Sequence, residues 1–319
     1  KNIKIVAFIA TIIIAVSTII FVGCKKDDLV NQNTTEKKVE KGRKCNADAV
    51  ADVIDVIDIT YQYQTYEITD VIELAKNISQ AHDNGIEQFL KNYNLETATI
   101  DDCINFSEEI ALQLNDEQVE YNCITEDFFH IVTQCNSIED IVSFVSDNAA
   151  GINLQHVVSI CEQIENEAVN FIIESNSKDE YYEKLETFVI PNLNGNNVIE
   201  DLSILSFAYV YSGSFFTWVD YLDYIEIEEE KPIFTSTSTG GFWSKVKEVA
   251  QKTWEVVKPY AKADGEGAVI GAISGAAGGA VAGVMIGGAG AMPGAVAGAV
   301  GGSITGGVSK SLQYAVENK

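Results

Sequence analysis

Between Gly267 and Gly306 glycine returns at every fourth position, in two registers. The first is Gly267, Gly271, Gly275, Gly279, Gly283 and Gly287; the second is Gly290, Gly294, Gly298, Gly302 and Gly306, with Pro293 near its start. Four residues is close to one helical turn, so each set draws a stripe without side chains down one face of a helix. Pro293 suits the first turn of a second helix, where its missing N–H costs nothing. The pattern predicts an αα-hairpin. No charged residue stands between Glu266 and Lys310, and an arm of about 20 residues is long enough for roughly 30 Å of hydrocarbon.

Sixteen of the 24 glycines fall between Gly265 and Gly307. Each one inside a helix costs about 0.5–1 kcal/mol relative to alanine, so a helical arrangement needs compensation on the order of 10 kcal/mol. Two sources exist. Helix backbones can approach closely along the stripes, and a bilayer can force the backbone to satisfy its own hydrogen bonds. Both predict that the glycine faces embed in a membrane or self-associate, with Val269, Ile270, Ile273, Val281, Val284, Met285 and Ile286 toward lipid or a neighbouring helix. A soluble hairpin clamped on the rest of the chain is the other reading, and a flexible Gly/Ala linker is a third, although a linker has no need of a period of four.

The segment before the hairpin, Phe242 to Lys262, carries five lysines and two glutamates. It reads as an amphipathic helix with Trp243, Trp254 and Tyr260 beside Lys245 and Lys252. Basic, tryptophan-bearing faces favour an anionic membrane interface; docking on the chain's own acidic part is the alternative. Pro259 is expected to kink or end this helix, and Asp264 to N-cap the first glycine arm.

Cys45 to Glu230 holds four lysines, no arginine and 38 acidic residues, a net charge of −34. Nucleic acid is excluded as a partner, because phosphate contacts need Lys and Arg. The segment still keeps helical apolar spacing, at Val50, Val53, Ile54, Ile57, at Val71, Leu74, Ala75, Ile78, and at Val157, Ile160, Cys161, Ile164. These are core-facing stripes. Thr99 to Asp102 and Ser137 to Asp140 have the spacing of capping boxes. Breaks are expected at Asp83-Asn84-Gly85, Ala150-Gly151 and Pro191 to Asn197, and a short strand at Tyr61 to Gln64. Tyr209 to Tyr224, the most aromatic stretch, is either a binding face or core.

No metal or catalytic constellation emerges. His82, His130 and His156 lie in no recognisable ligand spacing and read as half-buried structural residues. Paired carboxylates are so common that none stands out as acid and base. The expectation is a protein without enzymatic activity, cofactor or metal. Beyond Cys24 there are five cysteines, an odd number. Cys103 with Cys161 and Cys123 with Cys135 are conceivable bridges, but cysteine in an apolar stripe also acts as a small hydrophobe.

At the N-terminus Lys1 and Lys4 precede the apolar run Ile5 to Val22, the build of a secretory signal. Phe21-Val22-Gly23-Cys24 resembles the bacterial lipobox, which implies cleavage before Cys24 and lipidation of that cysteine. Lys25-Lys26-Asp27-Asp28 is similar to the surface-export signal of Bacteroidota lipoproteins. The glycine-rich tail resembles glycine-zipper regions of outer-membrane lipoproteins and of some bacteriocin and pore-forming peptides.

The expected organisation is all-α. It comprises a signal peptide over 1–23, a disordered tether over 24–44, an acidic helical domain over 45–225, a linker over 226–241, a basic amphipathic helix over 242–262 and a glycine-zipper hairpin over 263–319. The expected setting is the bacterial outer membrane or cell surface, with membrane lipid and further copies of the chain as partners and any other protein partner unknown. Two functions fit: a membrane-active, pore-forming or bacteriocin-like protein, or a structural lipoprotein whose helical domain binds a partner.

Overall fold

A helix that is apolar on every side has to be enclosed by others, and Val198–Glu228 is such a helix. The computed structural model describes residues 66–117, 126–144, 152–228, 241–252, 254–285 and 291–318. Regular structure among them is all helical: α1 (Ile68–Asn92), α2 (Ile100–Glu117), α3 (Glu126–Gln134), α4 (Leu154–Glu174), α5 (Lys178–Val189), α6 (Val198–Glu228), α7 (Phe242–Lys252), α8 (Trp254–Met285) and α9 (Ala291–Glu317), with 3₁₀ turns at Ile138–Ser143 and Ile190–Asn192. Cys24, the tether, the Tyr61–Gln64 alternation and Ala150-Gly151 lie outside the described residues.

The antiparallel pair α8 and α9 forms the largest interface, and α6 lies along α8. The helices α1, α2 and α3 cover further faces of this pair, while α4, α5 and α7 lie against one another and against α6. Every residue from Asp201 to Phe216 is buried. The stretch Val198–Tyr221 has a mean hydropathy of 1.3 and the length to cross a membrane, yet 94% of its most apolar window is buried within this body. One face of the aromatic stretch is therefore core: Tyr211, Phe215 and Trp218 are each 1% exposed.

Local chemistry sets the ends of the elements. The Asp102 carboxylate accepts the Thr99 N–H at 2.9 Å while the Thr99 hydroxyl accepts the Asp102 N–H at 3.2 Å, closing the expected capping box at the start of α2. Asp140 likewise accepts the Ser137 N–H at 3.1 Å, although a 3₁₀ turn follows. Before α6 the chain turns through Gly195 at φ 69°, a conformation suited to glycine, and Asp201 accepts the N–H groups of Asn194 and Gly195 at 2.7 and 2.9 Å. Asp201, buried, is thus spent on the turn and on the Tyr66 hydroxyl, while buried Glu200 accepts the Asn153 N–H and faces His156 Nδ1, both at 2.8 Å, at the start of α4.

Four expectations are corrected. Asp83-Asn84-Gly85 does not break α1, because a Cβ on Gly85 would stand 2.9 Å from Val308 Cγ2 and the missing side chain is what lets α9 pack there. Pro259 lies inside α8 without ending it; near the N-terminus it forfeits little of the hydrogen-bond ladder. Asp264 is no N-cap but sits ten residues into α8, fully buried. Cys135 and Cys161 are unbridged buried thiols, so neither conceivable disulfide forms.

Candidate functional site

The glycine stripes of α8 and α9 face each other. Gly267 lies against Gly306, Gly271 against Gly302 and Gly275 against Gly298, and a methyl group added at any of these would overlap the backbone carbonyl of its opposite number. The glycine face is therefore closed within one chain. Gly279 and Gly294 continue the buried stripe, Gly283 lies within α8, and Gly287 and Gly290 are outside the described residues. On the other faces, Val269, Ile270 and Ile273, apolar enough for lipid, are at most 4% exposed.

The basic segment comprises α7 and the first turns of α8. Both parts rest on the body. The Trp243 indole N–H donates to the Ser175 carbonyl at 2.8 Å, Trp254 packs on Phe215 at 5.1 Å, and Tyr260 lies between Trp218 at 4.8 Å and Tyr314 at 5.0 Å. Lys245 reaches Asp220 at 3.4 Å, and Lys258 and Lys262 both reach the carboxylate of Glu165 on α4 at 3.0 Å. Lys252 pairs along its own helix with Glu248. Glu165 is the hinge of this docking: although burial alone would raise its carboxyl, the two lysines hold it below its usual range. Glu165→Gln is expected to cost about 1 kcal/mol in urea unfolding, because both lysines keep partial access to water. The loss should shrink in 1 M salt, where the Debye length is about 3 Å.

Where α1, α6, α8 and α9 meet, an otherwise apolar interface holds a polar node. His82 on α1 and Asp264 on α8 are both fully buried, with His82 Nε2 3.7 Å from Asp264 Oδ2. The same Asp264 oxygen accepts the Ser214 hydroxyl and the Trp218 indole N–H, the latter at 3.2 Å. His82 Nδ1 faces Asp83 Oδ1 at 3.0 Å. The ring fits only because Gly307 on α9 lacks a side chain; a Cβ there would lie 2.8 Å from His82 Cδ2. His82 Nε2 and Asp264 Oδ1 have no hydrogen-bond partner, the state that a buried polar group pays most for.

The node is short of positive charge. Burial pushes the Asp264 carboxyl up to about 6, against the opposing pull of His82 and Ser214. Burial works to lower His82, but Asp83 and Asp264 outweigh it and leave the imidazole above its ordinary value. Two residues along α8, burial lifts Glu266 to about 7 despite Lys262. Asp264 and Glu266 were visible as lone acids at the edge of an uncharged stretch, and His82 continues the Val71, Leu74, Ala75, Ile78 stripe by one more step of four. Neither signal marks a pairing, since the partners are far apart in sequence.

Among the described residues no group of three or more His, Cys, Asp or Glu side chains is placed to hold a metal ion. No protein-family model matches the chain, and neither curated proteins nor solved structures give a match.

Proposed function

We propose that this is an exported, lipid-anchored protein without enzymatic activity, whose α8–α9 hairpin is a membrane-active element stored inside a shelter of its own helices. The observation that carries the reading is the burial of the uncharged, glycine-striped stretches 267–276 and 294–309 within a body that belongs to a strongly acidic chain. An isolated pair of this kind has no stable place in water. Enclosed by α1, α2, α3 and α6 it remains soluble, and the acidic surface keeps it away from anionic head groups until the shelter opens. Because the glycine faces mate within one chain, copies associate through the outer faces of α8 and α9 once α6 leaves, or by exchanging arms. The lipid at Cys24 keeps the protein at the surface of the cell that makes it.

One observation favours the competing reading of a structural or interaction lipoprotein: the basic segment is docked on the body, and the hairpin supplies so much of the core that releasing it dismantles the fold. Dye-loaded vesicles of zwitterionic lipid, which do not repel the acidic surface, decide between them when the full chain is added and Cys161 alkylation is mapped by mass spectrometry. Cys161 on α4 is 2% exposed and close enough to Glu266 on α8 to feel its charge, and burial holds its thiol well above its usual range, so it stays unreactive while α8 is seated. Dye release together with fast labelling of Cys161 is the expected result. Tight vesicles with bound protein and protected Cys161 would leave an anchor and remove the membrane-active reading.

A further inference from the structure

A cleft of about 1260 Å³ opens between α1, α5 and α6, on the far side of α6 from α8. Its floor is aromatic: Tyr182 and Tyr209 are stacked at 5.5 Å, and Phe216 meets the Tyr182 edge at 6.3 Å. Two ammonium groups of the chain already rest on these rings. Lys178 Nζ stands 5.1 Å from the centre of Phe216 and 5.8 Å from that of Tyr182, and Lys76 Nζ stands 5.5 Å from that of Tyr209. Around them six carboxylates face three lysines. Lys76 is matched by Glu186 at 2.8 Å, Lys91 by Glu87 at 3.0 Å and Asp220 by Lys245 at 3.4 Å, which leaves Asp179, Glu183 and Asp83, whose Oδ1 faces His82, against Lys178 on the remaining wall. Asp83 belongs to that wall, and α6 gives way to it: a Cβ on Gly213 would stand 2.6 Å from Asp83 Oδ2 and 2.5 Å from Ser79 Oγ.

We propose that this cleft binds a small organic ammonium ion on a flexible or apolar stem, seated on the Tyr182 and Phe216 rings in the place Lys178 now occupies, with Asp83 and Glu183 as counter-charges. The ring faces attract an ammonium through their quadrupole, and a partly desolvated seat strengthens that attraction. The stem gains contact with the aromatic floor. An anion meets excess negative charge here, and a neutral ligand leaves that charge unanswered. A fully hydrated inorganic cation cannot exploit the rings. Lys178 therefore acts as a placeholder that a ligand displaces into solvent, where α5 begins.

The test is titration calorimetry of the full chain with spermidine, and with Mg²⁺ as a cation lacking an organic stem, in 150 mM salt. One saturable spermidine site is expected that Mg²⁺ does not occupy. Glu183→Gln, a change at an exposed side chain, and Tyr182→Leu should each weaken it by about fivefold, the size of a single cation–π or ion-pair contribution. Lys178→Ala should tighten it, because the chain's own ammonium no longer competes. Glu109→Gln, exposed on α2, should leave it unchanged. The proposal fails if Glu109→Gln weakens binding as much as Glu183→Gln does, which is plain counter-ion attraction to a chain of net charge −26. It fails equally if Lys178→Ala weakens binding, or if no saturable heat is seen at millimolar spermidine.

Discussion

Gly271→Ala is expected to destabilise the protein by about 2–4 kcal/mol, and Gly271→Leu to abolish its cooperative unfolding transition. The sign is the informative part. In a helix whose glycines have room, Gly→Ala stabilises by about 0.5–1 kcal/mol, since alanine is the better helix former. At Gly271 the added methyl overlaps the Gly302 carbonyl, which is backbone and has no rotamer to retreat into. Relief requires α8 and α9 to move apart along their whole length, because Gly267 with Gly306 and Gly275 with Gly298 hold the same close spacing. That separation strips van der Waals contact from the largest interface of the core. Gly241→Ala is the matched control, for a Cβ there meets nothing within 4 Å and the change should be near neutral. Urea unfolding followed by circular dichroism measures all three. A Gly271→Leu protein that unfolds like the wild type while losing only its self-association would show that the stripes serve contacts between chains rather than within one.

That result bears on how far the sequence could be read. A period of four says that a backbone comes close to something; it does not say to what. The mates are identified only by the fold, in which paired positions such as 267 with 306 and 271 with 302 run in opposite directions along two arms. Lipid-facing and protein-facing apolar positions look alike, so the burial of Val269 and Ile270 under neighbouring helices was open as well. The stripe of α1 was legible up to Ile78, but Asp83-Asn84-Gly85 carried a turn signature that tertiary packing overrode, with Val308 filling the space that Gly85 leaves. The capping boxes at Thr99 and Ser137 were legible because their partners are three residues away. Asp264 was misread for the opposite reason: Ser214 and Trp218 reach it from another helix, 50 and 46 residues distant, and no local pattern announces them.

Those same groups fix how the fold responds to pH, and the expected result is a protein more stable at pH 5.5 than at pH 8.5, with a melting temperature higher by roughly 10 °C. Asp264 titrates near 6 in the folded protein against 3.8 when unfolded. Folding therefore takes up a proton, and the stability Asp264 withholds at neutral pH, about 3 kcal/mol, is recovered as pH falls from about 6 to 3.8, less than about 1 kcal/mol of it by pH 5.5. Glu266, near 7 against 4.5, acts in the same direction over a higher window. His82, raised above its ordinary 6.5, adds stability that is complete below 6.5 and is lost as pH rises through its folded value. Asp83 on α1, itself pushed up by burial, is the other titratable group against His82; α6 contributes only Ser214 and Trp218 to Asp264, and α9 brings Gly307 to the His82 ring. Relief of repulsion in a chain of net charge −26 adds to the trend. The gain reverses below about pH 4, where Glu165 and Glu186, held low by their lysines, become protonated and their ion pairs are lost. Asp264→Asn keeps an acceptor for Ser214 and Trp218 but carries no charge, so it should exceed the wild type by about 3 kcal/mol at pH 8.5 and by about 2 kcal/mol at pH 5.5, flattening the slope between them by less than about 1 kcal/mol. A wild type more stable at pH 8.5 than at pH 5.5, or a variant with an unchanged slope, would refute the node as the source. For a hairpin that acts by leaving its shelter, the consequence is direct: vesicle permeabilisation should be faster at pH 8.5 than at 5.5, and acidity should lock the hairpin in.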